Sequence, residues 1–401
     1  MLTRIFKEFF ESEKAGGIVL IICTALSIFL VNSQFHDFYI GVWETQFAGH
    51  DIPHWINDGL MAIFFFMIGL ELVREVKKGE LSDVKKSLLP IVGALGGMVI
   101  PASVYLAFNY GTATQSGAGI PMATDIAFAL GILSLLGSRV PNALKIFLTA
   151  LAVIDDLGAI IVIAIFYTDS INALNLFIAL AIFGGLLGLN KLKIHNLIPY
   201  LVGGVFMWYF MLHSGIHATI AGVLLAITIP FAEGNKKGPN YKLLHALHKP
   251  VAFFILPLFA LANTAITIDP DWKNIFTQLS DIGIMAGLFL GKPLGIMLFC
   301  YIAIRLDLCK LPRGVKWKHL LGVGYLGGIG FTMSIFITLL AFNDATLINY
   351  AKLSILIASL LSGVKGFIWL KFTLKEKKTD NTNKPSRFKY SRKLKKLQHV
   401  G

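Results

Sequence analysis

Over 401 residues the chain is 55% hydrophobic and only 15% charged, with a mean hydropathy of +0.70 and a formal net charge of +13. That composition excludes an ordinary soluble globular domain and describes a polytopic membrane protein. The positive excess sits in the connections between apolar runs, so it reads as topology, and nucleic-acid binding is a poor explanation of it.

In chain order, the first element is a set of apolar residues, Leu2, Ile5, Phe6, Phe9 and Phe10, at helical spacing beside Arg4, Lys7 and Glu8. This pattern predicts a short helix lying in the inner membrane interface. Residues 16–31 follow without a small-residue cleavage site and are expected to be a retained span. With that span, twelve apolar stretches approach the ~20 residues that cross a hydrocarbon core, centred on Cys23, Phe65, Val99, Ala129, Ile154, Ile182, Met207, Leu224, Phe259, Leu288, Gly330 and Ala358. They are too continuously apolar for barrel strands, and backbone groups in lipid must be satisfied internally, so the fold class is all-α with about twelve transmembrane helices. Between the first two spans, residues 43–54 (WETQFAGHDIPH) predict a turn around Ala48 to His50 between short extended arms.

Orientation follows from the basic residues. With both termini inside, the inner connections collect Arg74, Lys77, Lys78, Arg139, Lys145, Arg305 and many others, while the outer connections hold only Lys273. The positive-inside rule therefore predicts cytoplasmic termini. The tail from 371 to 401 has eleven lysines or arginines against Glu376 and Asp380, and is expected to be disordered and cytoplasmic. It either serves topology or meets anionic lipid.

Two spans are interrupted. In the fourth, a short apolar lead ends at Thr124 and Asp125 before the run resumes at Ile126; in the eleventh, Gly327, Gly328 and Gly330 break the pattern. Discontinuous spans in matching positions of two halves point to a transporter's binding site, because half-helix ends present partial charges inside the membrane. Spans four and eleven are separated by an odd number, so they cross in opposite directions. Triplets three to five and ten to twelve are thus expected to form inverted repeats within a domain covering residues 1–370, with the broken helices crossing near the bilayer midplane.

The costliest residues are Asp155 and Asp156, adjacent in an apolar run, since one charge at the centre of a membrane helix costs about 2.5–3.5 kcal/mol on insertion scales. Two buried carboxylates titrate as a coupled pair, and a hard cation such as sodium competes with protons for their oxygens. Asp125 reads either as a functional charge or as a cap on a half-helix start. Lys292 reads either as a partner of the aspartates or as a static balance for carbonyl ends. Lys352 and Lys365, toward opposite ends of the last span, read as snorkelling residues. Cys23, Cys300 and Cys309 lack metal-ligand spacing and imply no disulfide framework.

Four segments carry a family resemblance: residues 123–131 read ATDIAFALG, 150–160 ALAVIDDLGAI, 290–295 LGKPLG and 328–335 GIGFTMSI. Together they resemble the bacterial NhaA-type sodium/proton antiporters, over about residues 6–369. Inverted repeats are a property of that family, so the resemblance and the topology are not independent supports. The resemblance implies that Asp155 and Asp156 bind the transported Na+ and the proton, with Asp156 leading, and that Thr124 belongs to the cation region. It implies that Asp125 and Lys292 compensate the broken-helix ends and that Lys292 pairs with the first aspartate.

It further implies pH sensing by Glu71, Arg74 and Glu75 with His245 and His248, histidine being the side chain whose ordinary pKa suits that task; a solvated helix end is the plain alternative. Leu244 stands where a branch of the family carries Glu, so the pH response need not transfer. His217 resembles another family position, though a lone histidine in a span is commonly structural. Residues 43–54 resemble the hairpin through which the family forms homodimers.

The expected function is electrogenic, pH-regulated exchange of Na+ or Li+ for H+ in a bacterial inner membrane, serving sodium and pH homeostasis, with the lipid bilayer as surroundings. No cofactor is needed. Because ions move without covalent chemistry, the chain is not read as an enzyme. A sodium-coupled solute symporter of related architecture is the alternative; an intramembrane aspartyl protease is disfavoured because GxGD is absent.

Overall fold

The computed structural model describes residues 13–79, 82–168, 171–231, 238–268 and 270–374. The interfacial helix expected over residues 2–10 and the tail from 375 onward lie outside the described residues. Those described form an all-α protein with one two-stranded hairpin.

Helix α1 (Glu13–Val31) turns by 118° into α2 (His36–Trp43). The hairpin follows as β1 (Gln46–Phe47) and β2 (His50–Asp51), antiparallel, with Phe47 opposite His50. Ala48 and Gly49 occupy its turn at φ 51° and 87°, the left-handed pair that a two-residue hairpin requires. The turn and arms expected from the sequence are present.

A π-helical segment, Trp55–Leu60, leads into α3 (Met61–Lys78). Next come α4 (Val84–Asn109), a 3-10 segment (Gln115–Met122) joined to α5 (Ile126–Leu135), and α6 (Asn142–Phe166). Helices α7 (Ala173–Lys191), α8 (Ile198–Leu212) and α9 (Thr219–Thr228) follow. Helix α10 (Pro239–Pro250) continues through a π segment, Val251–Ile255, into α11 (Leu256–Asn263). Helix α12 (Leu279–Ala286) passes through the π segment Gly287–Gly291 into α13 (Lys292–Arg305). Last come α14 (Trp317–Gly327), α15 (Phe331–Ala341) and α16 (Ala345–Thr373).

Among the described residues eight helical runs are long and apolar enough to span a membrane, or up to ten if each bent pair counts as one. The hydropathy centres at Met207 and Leu224 fall instead on α8 and α9, of 15 and 10 residues. At about 1.5 Å per residue these helices reach only about 22 and 15 Å, short of a ~30 Å hydrocarbon core. By length and composition the count is therefore lower than the twelve expected.

Small residues set the packing. A Cβ added at Gly96 would collide with the carbonyl of Gly295, and one at Gly295 with the carbonyl of Gly96, so α4 and α13 meet backbone to backbone. Between α3 and α9, a Cβ at Gly222 would collide with the Ala62 carbonyl and one at Gly69 with the Ala226 side chain. Without a hydrophobic drive between helices in lipid, close backbone approach and interhelical hydrogen bonds hold the bundle.

Candidate functional site

Both interruptions read from the sequence are real breaks. The 3-10 segment ends at Met122, residues 123–125 are non-helical, and Asp125 starts α5 with its Oδ1 accepting from Phe128 N at 2.9 Å. Helix α14 ends at Gly327, and α15 begins at Phe331 after a 47° bend. Asp125 thus does what a short acceptor at an N-cap does, satisfying a donor that the helix itself leaves open.

The two breaks are tied to each other. Asp125 N donates to Ile329 O at 2.7 Å, and Thr124 Oγ1 donates to Gly327 O at 2.8 Å. Asp125 Oδ2 accepts from Thr332 Oγ1 at 2.5 Å and from Thr332 N at 3.2 Å. One carboxylate therefore caps two half-helix N-termini, where the helix dipole favours negative charge. Ser334 Oγ donates to Ile120 O at 2.7 Å, and Ser359 Oγ on α16 accepts from Phe331 N at 3.1 Å.

Over this crossing stands the middle of α6. Asp155, Asp156 and Lys292 are fully buried. Asp155 Oδ2 lies 2.8 Å from Lys292 Nζ and 2.8 Å from Thr124 Oγ1, whose single proton is shared between this carboxylate and Gly327 O. Lys292 Nζ also donates to Met122 O, the open carbonyl end of the 3-10 segment. The same ammonium thus pairs with a carboxylate and balances a helix end, so both roles read from the sequence meet in one side chain.

Successive residues on a helix point about 100° apart, so Asp156 cannot share its neighbour's partners. Both of its oxygens, and Oδ1 of Asp155, are buried without a hydrogen-bond partner among the described residues. Buried polar atoms normally have partners, and a buried charge needs one. Carboxylate, hydroxyl and carbonyl oxygens are the donors a hard monovalent cation or a proton takes. No cluster of three histidine, cysteine or acidic side chains placed to hold a resident metal occurs among the described residues.

The residues expected to sense pH lie on α3 and α10. Arg74 Nη2 bridges Glu71 Oε1 at 3.1 Å and Glu75 Oε1 at 2.9 Å near the end of α3. Helix α10 packs beside α3 with Asn240 Nδ2 donating to Leu70 O at 3.4 Å. Leu244 is buried there, whereas His245 and His248 are exposed, His245 stacking on Tyr241 with ring centroids 4.8 Å apart. His217 Nε2 meets Tyr167 O at 2.8 Å, a tie between α6 and the start of α9. Lys365 lies over the rings of Phe289 and Tyr325, at 5.2 and 5.1 Å. The three cysteines are free.

Thr332, Ser334 and Ser359 were missed by sequence reasoning as parts of the crossing. Thr332 and Ser334 lie in the quoted segment GIGFTMSI, and a hydroxyl just after a break was the available signal. Ser359 gave none, because it comes from another helix 28 residues away.

Two broken helices crossing beside a buried carboxylate–lysine cluster define a membrane ion transporter of the discontinuous-helix class. The profile of the Na+/H+ antiporter 1 family matches residues 7–370, and the chain belongs to that family. It is 62% identical over 382 residues to the Na+/H+ antiporter NhaA of Flavobacterium psychrophilum, an alignment covering 95% of this chain and 100% of that protein. The NhaA of Cytophaga hutchinsonii is 58% identical, with 94% and 97% covered, and that of Citrobacter koseri 48% identical, with 92% and 98% covered.

Proposed function

We propose that the chain is an electrogenic, pH-regulated antiporter that exports Na+ or Li+ in exchange for entering protons. Asp156 binds the cation or the proton, with Asp155 and Thr124 completing the site. The observation that carries this is the fully buried Asp156 carboxylate, without a hydrogen-bond partner among the described residues, beside an Asp155 already engaged by Lys292. A structural ion pair would need one aspartate; a second, unpaired one needs a cargo.

Sodium and protons compete for the same oxygens. An empty, doubly charged site is too costly to carry past an apolar barrier, so only the loaded forms reorient and exchange becomes obligatory. Lys292 and Asp125 hold the half-helix ends through the cycle. Ions move without bond making or breaking, so no catalytic residue and no cofactor enters.

Both termini are assigned to the cytoplasm by the distribution of lysine and arginine, the membrane to a bacterial inner membrane by the family resemblance, and residues 1–370 to the transport domain with two inverted triplets. The exposed hairpin is assigned to a homodimer contact. Glu71, Arg74, Glu75, His245 and His248 are assigned to pH sensing at the cytoplasmic side.

A sodium gradient imposed on vesicles containing the purified protein tests the core of this reading. The expected result is a pH change that needs sodium or lithium and no organic solute. Absence of proton flux, or a requirement for a solute, would overturn it.

A further inference from the structure

Asp281 lies in the first turn of α12 and is 1% exposed. Its Oδ1 accepts from Ser354 Oγ of α16 at 3.0 Å, and its Oδ2 is buried with no partner. No ion pair to it is formed among the described residues, which sets it apart from Asp155, paired with Lys292, and Asp125, held by four donors including its own cap. A lone carboxylate in a membrane span is costly when charged, and one serine hydroxyl is a weak compensation.

The surroundings offer no cation. From α4, Tyr105 and Asn109 face this part of α12: Asn109 Nδ2 donates to Leu279 O at 3.0 Å, and a Cβ at Gly283 would meet Asn109 and Tyr105. Tyr105 gives its hydroxyl to Thr114 O at 2.7 Å. From α16 the ionisable residues nearest Ser354 are Lys352, two positions before it and so on a different face, and the buried Tyr350, one turn before it on the same face and uncharged in its ordinary form. The 3-10 segment beside α12 carries no titratable residue, and Asp271 and Lys273 in the preceding connection are exposed.

The position also bears on transport. Asp281 and Lys292 are eleven residues apart on one continuous helical run, about 16 Å along its axis. Between them Gly287 packs against Pro121 of the 3-10 segment whose last carbonyl, Met122 O, receives Lys292 Nζ. The seam between the α12 run and the 3-10 segment therefore has Asp281 near one end and the Asp155–Lys292 pair at the other. With the orientation proposed above, the Asp281 end faces outward, the side from which protons come.

We propose that Asp281, steadied by Ser354, is a second proton-holding site of the exchanger, placed on the outer approach to the helix crossing. It takes a proton from outer water as a neutral carboxyl and gives it up toward the crossing when the cation leaves. The inference rests on the exchange reading for its role, but the protonation itself does not.

Two measurements on the full-length protein test it. Infrared difference spectra between acid and alkaline solution are expected to contain a protonated-carboxyl band that is absent from Asp281→Asn and restored in Asp281→Glu. In vesicles, Asp281→Asn is expected to keep exchange but lose severalfold in maximal rate as the pH on the outer side is raised, with Asp281→Glu closer to the parent. A purely structural Asp281 would leave the titrating band and the outer-pH profile unchanged. Superimposable spectra of parent and Asp281→Asn would overturn the inference, and so would identical outer-pH profiles. A parent without any exchange would sink the exchange reading instead, and the infrared titration would still decide whether Asp281 holds a proton.

Discussion

Asp156 and Lys292 place opposite demands on a substitution. Asp156→Asn keeps the shape of the side chain and removes its charge; since no donor engages either oxygen, the fold has little to lose. The expected outcome is a folded, inserted protein without sodium/proton exchange, and near-parental exchange by the purified variant in vesicles would refute the assignment. Asp155→Asn should impair exchange too. Lys292→Ala strands Asp155 and the Met122 carbonyl together, and removing one partner of a buried pair costs about 3–5 kcal/mol. Thermal unfolding in detergent should show a large drop for Lys292→Ala and a smaller one for Lys292→Met combined with Asp155→Asn, because the double variant leaves no unpaired charge. Equal melting temperatures for these two variants would show that Lys292 is not held chiefly by its pairing with Asp155.

Helices α4 and α13 bring a different constraint, because their contact leaves no room for a methyl group. Gly96→Ala would force a Cβ into the Gly295 carbonyl and the Phe299 side chain; backbone cannot swing aside as a long side chain can. Overpacking of this kind costs about 1–3 kcal/mol, and here it would also displace Lys292, one turn from Gly295. Loss of both stability and transport is expected, whereas Gly184→Ala on α7, where a Cβ meets nothing, should match the parent in unfolding and exchange. On α10 His245 and His248 are exposed, whereas Leu244 is buried. Falling pH fills the Asp155–Asp156 site with protons, so the apparent KM for sodium should rise, whereas a sensor changes the maximal rate by biasing which state is populated. Rates against sodium at several pH values, in the parent and in a variant with both histidines changed to Gln, separate the two. Unchanged maximal-rate profiles would reject the histidines as sensors, and a KM independent of pH would reject shared-site competition.

At the scale of the whole molecule, the last turn of α16 is fixed to α14: Trp369 Nε1 donates to Lys318 O at 2.7 Å, and Leu374 is buried. Truncation after Leu374 should therefore leave exchange intact, and complete loss in a stable, inserted truncation would assign the basic tail a direct part. Hydropathy alone was enough to find the apolar helical runs, because a bilayer demands helices of apolar residues whatever their neighbours. The interruptions at Thr124–Asp125 and at Gly327, Gly328 and Gly330 were also legible, since helix breakers and a charge inside an apolar run cannot be hidden. The span count was not, because α8 and α9 are too short by themselves to meet a length criterion. That Lys292 engages the first aspartate came only from the family resemblance, and that Asp125 serves two half-helices was not legible at all: those facts depend on where residues 31 to 207 positions apart come to lie. Composition and local order thus determined the membrane class, the breaks and the costly charges. Tertiary structure decided which of those charges are neutralised, because pairing depends on distances a few ångströms long between helices remote in the chain, and among the described residues it left both oxygens of Asp156 without a hydrogen-bond partner.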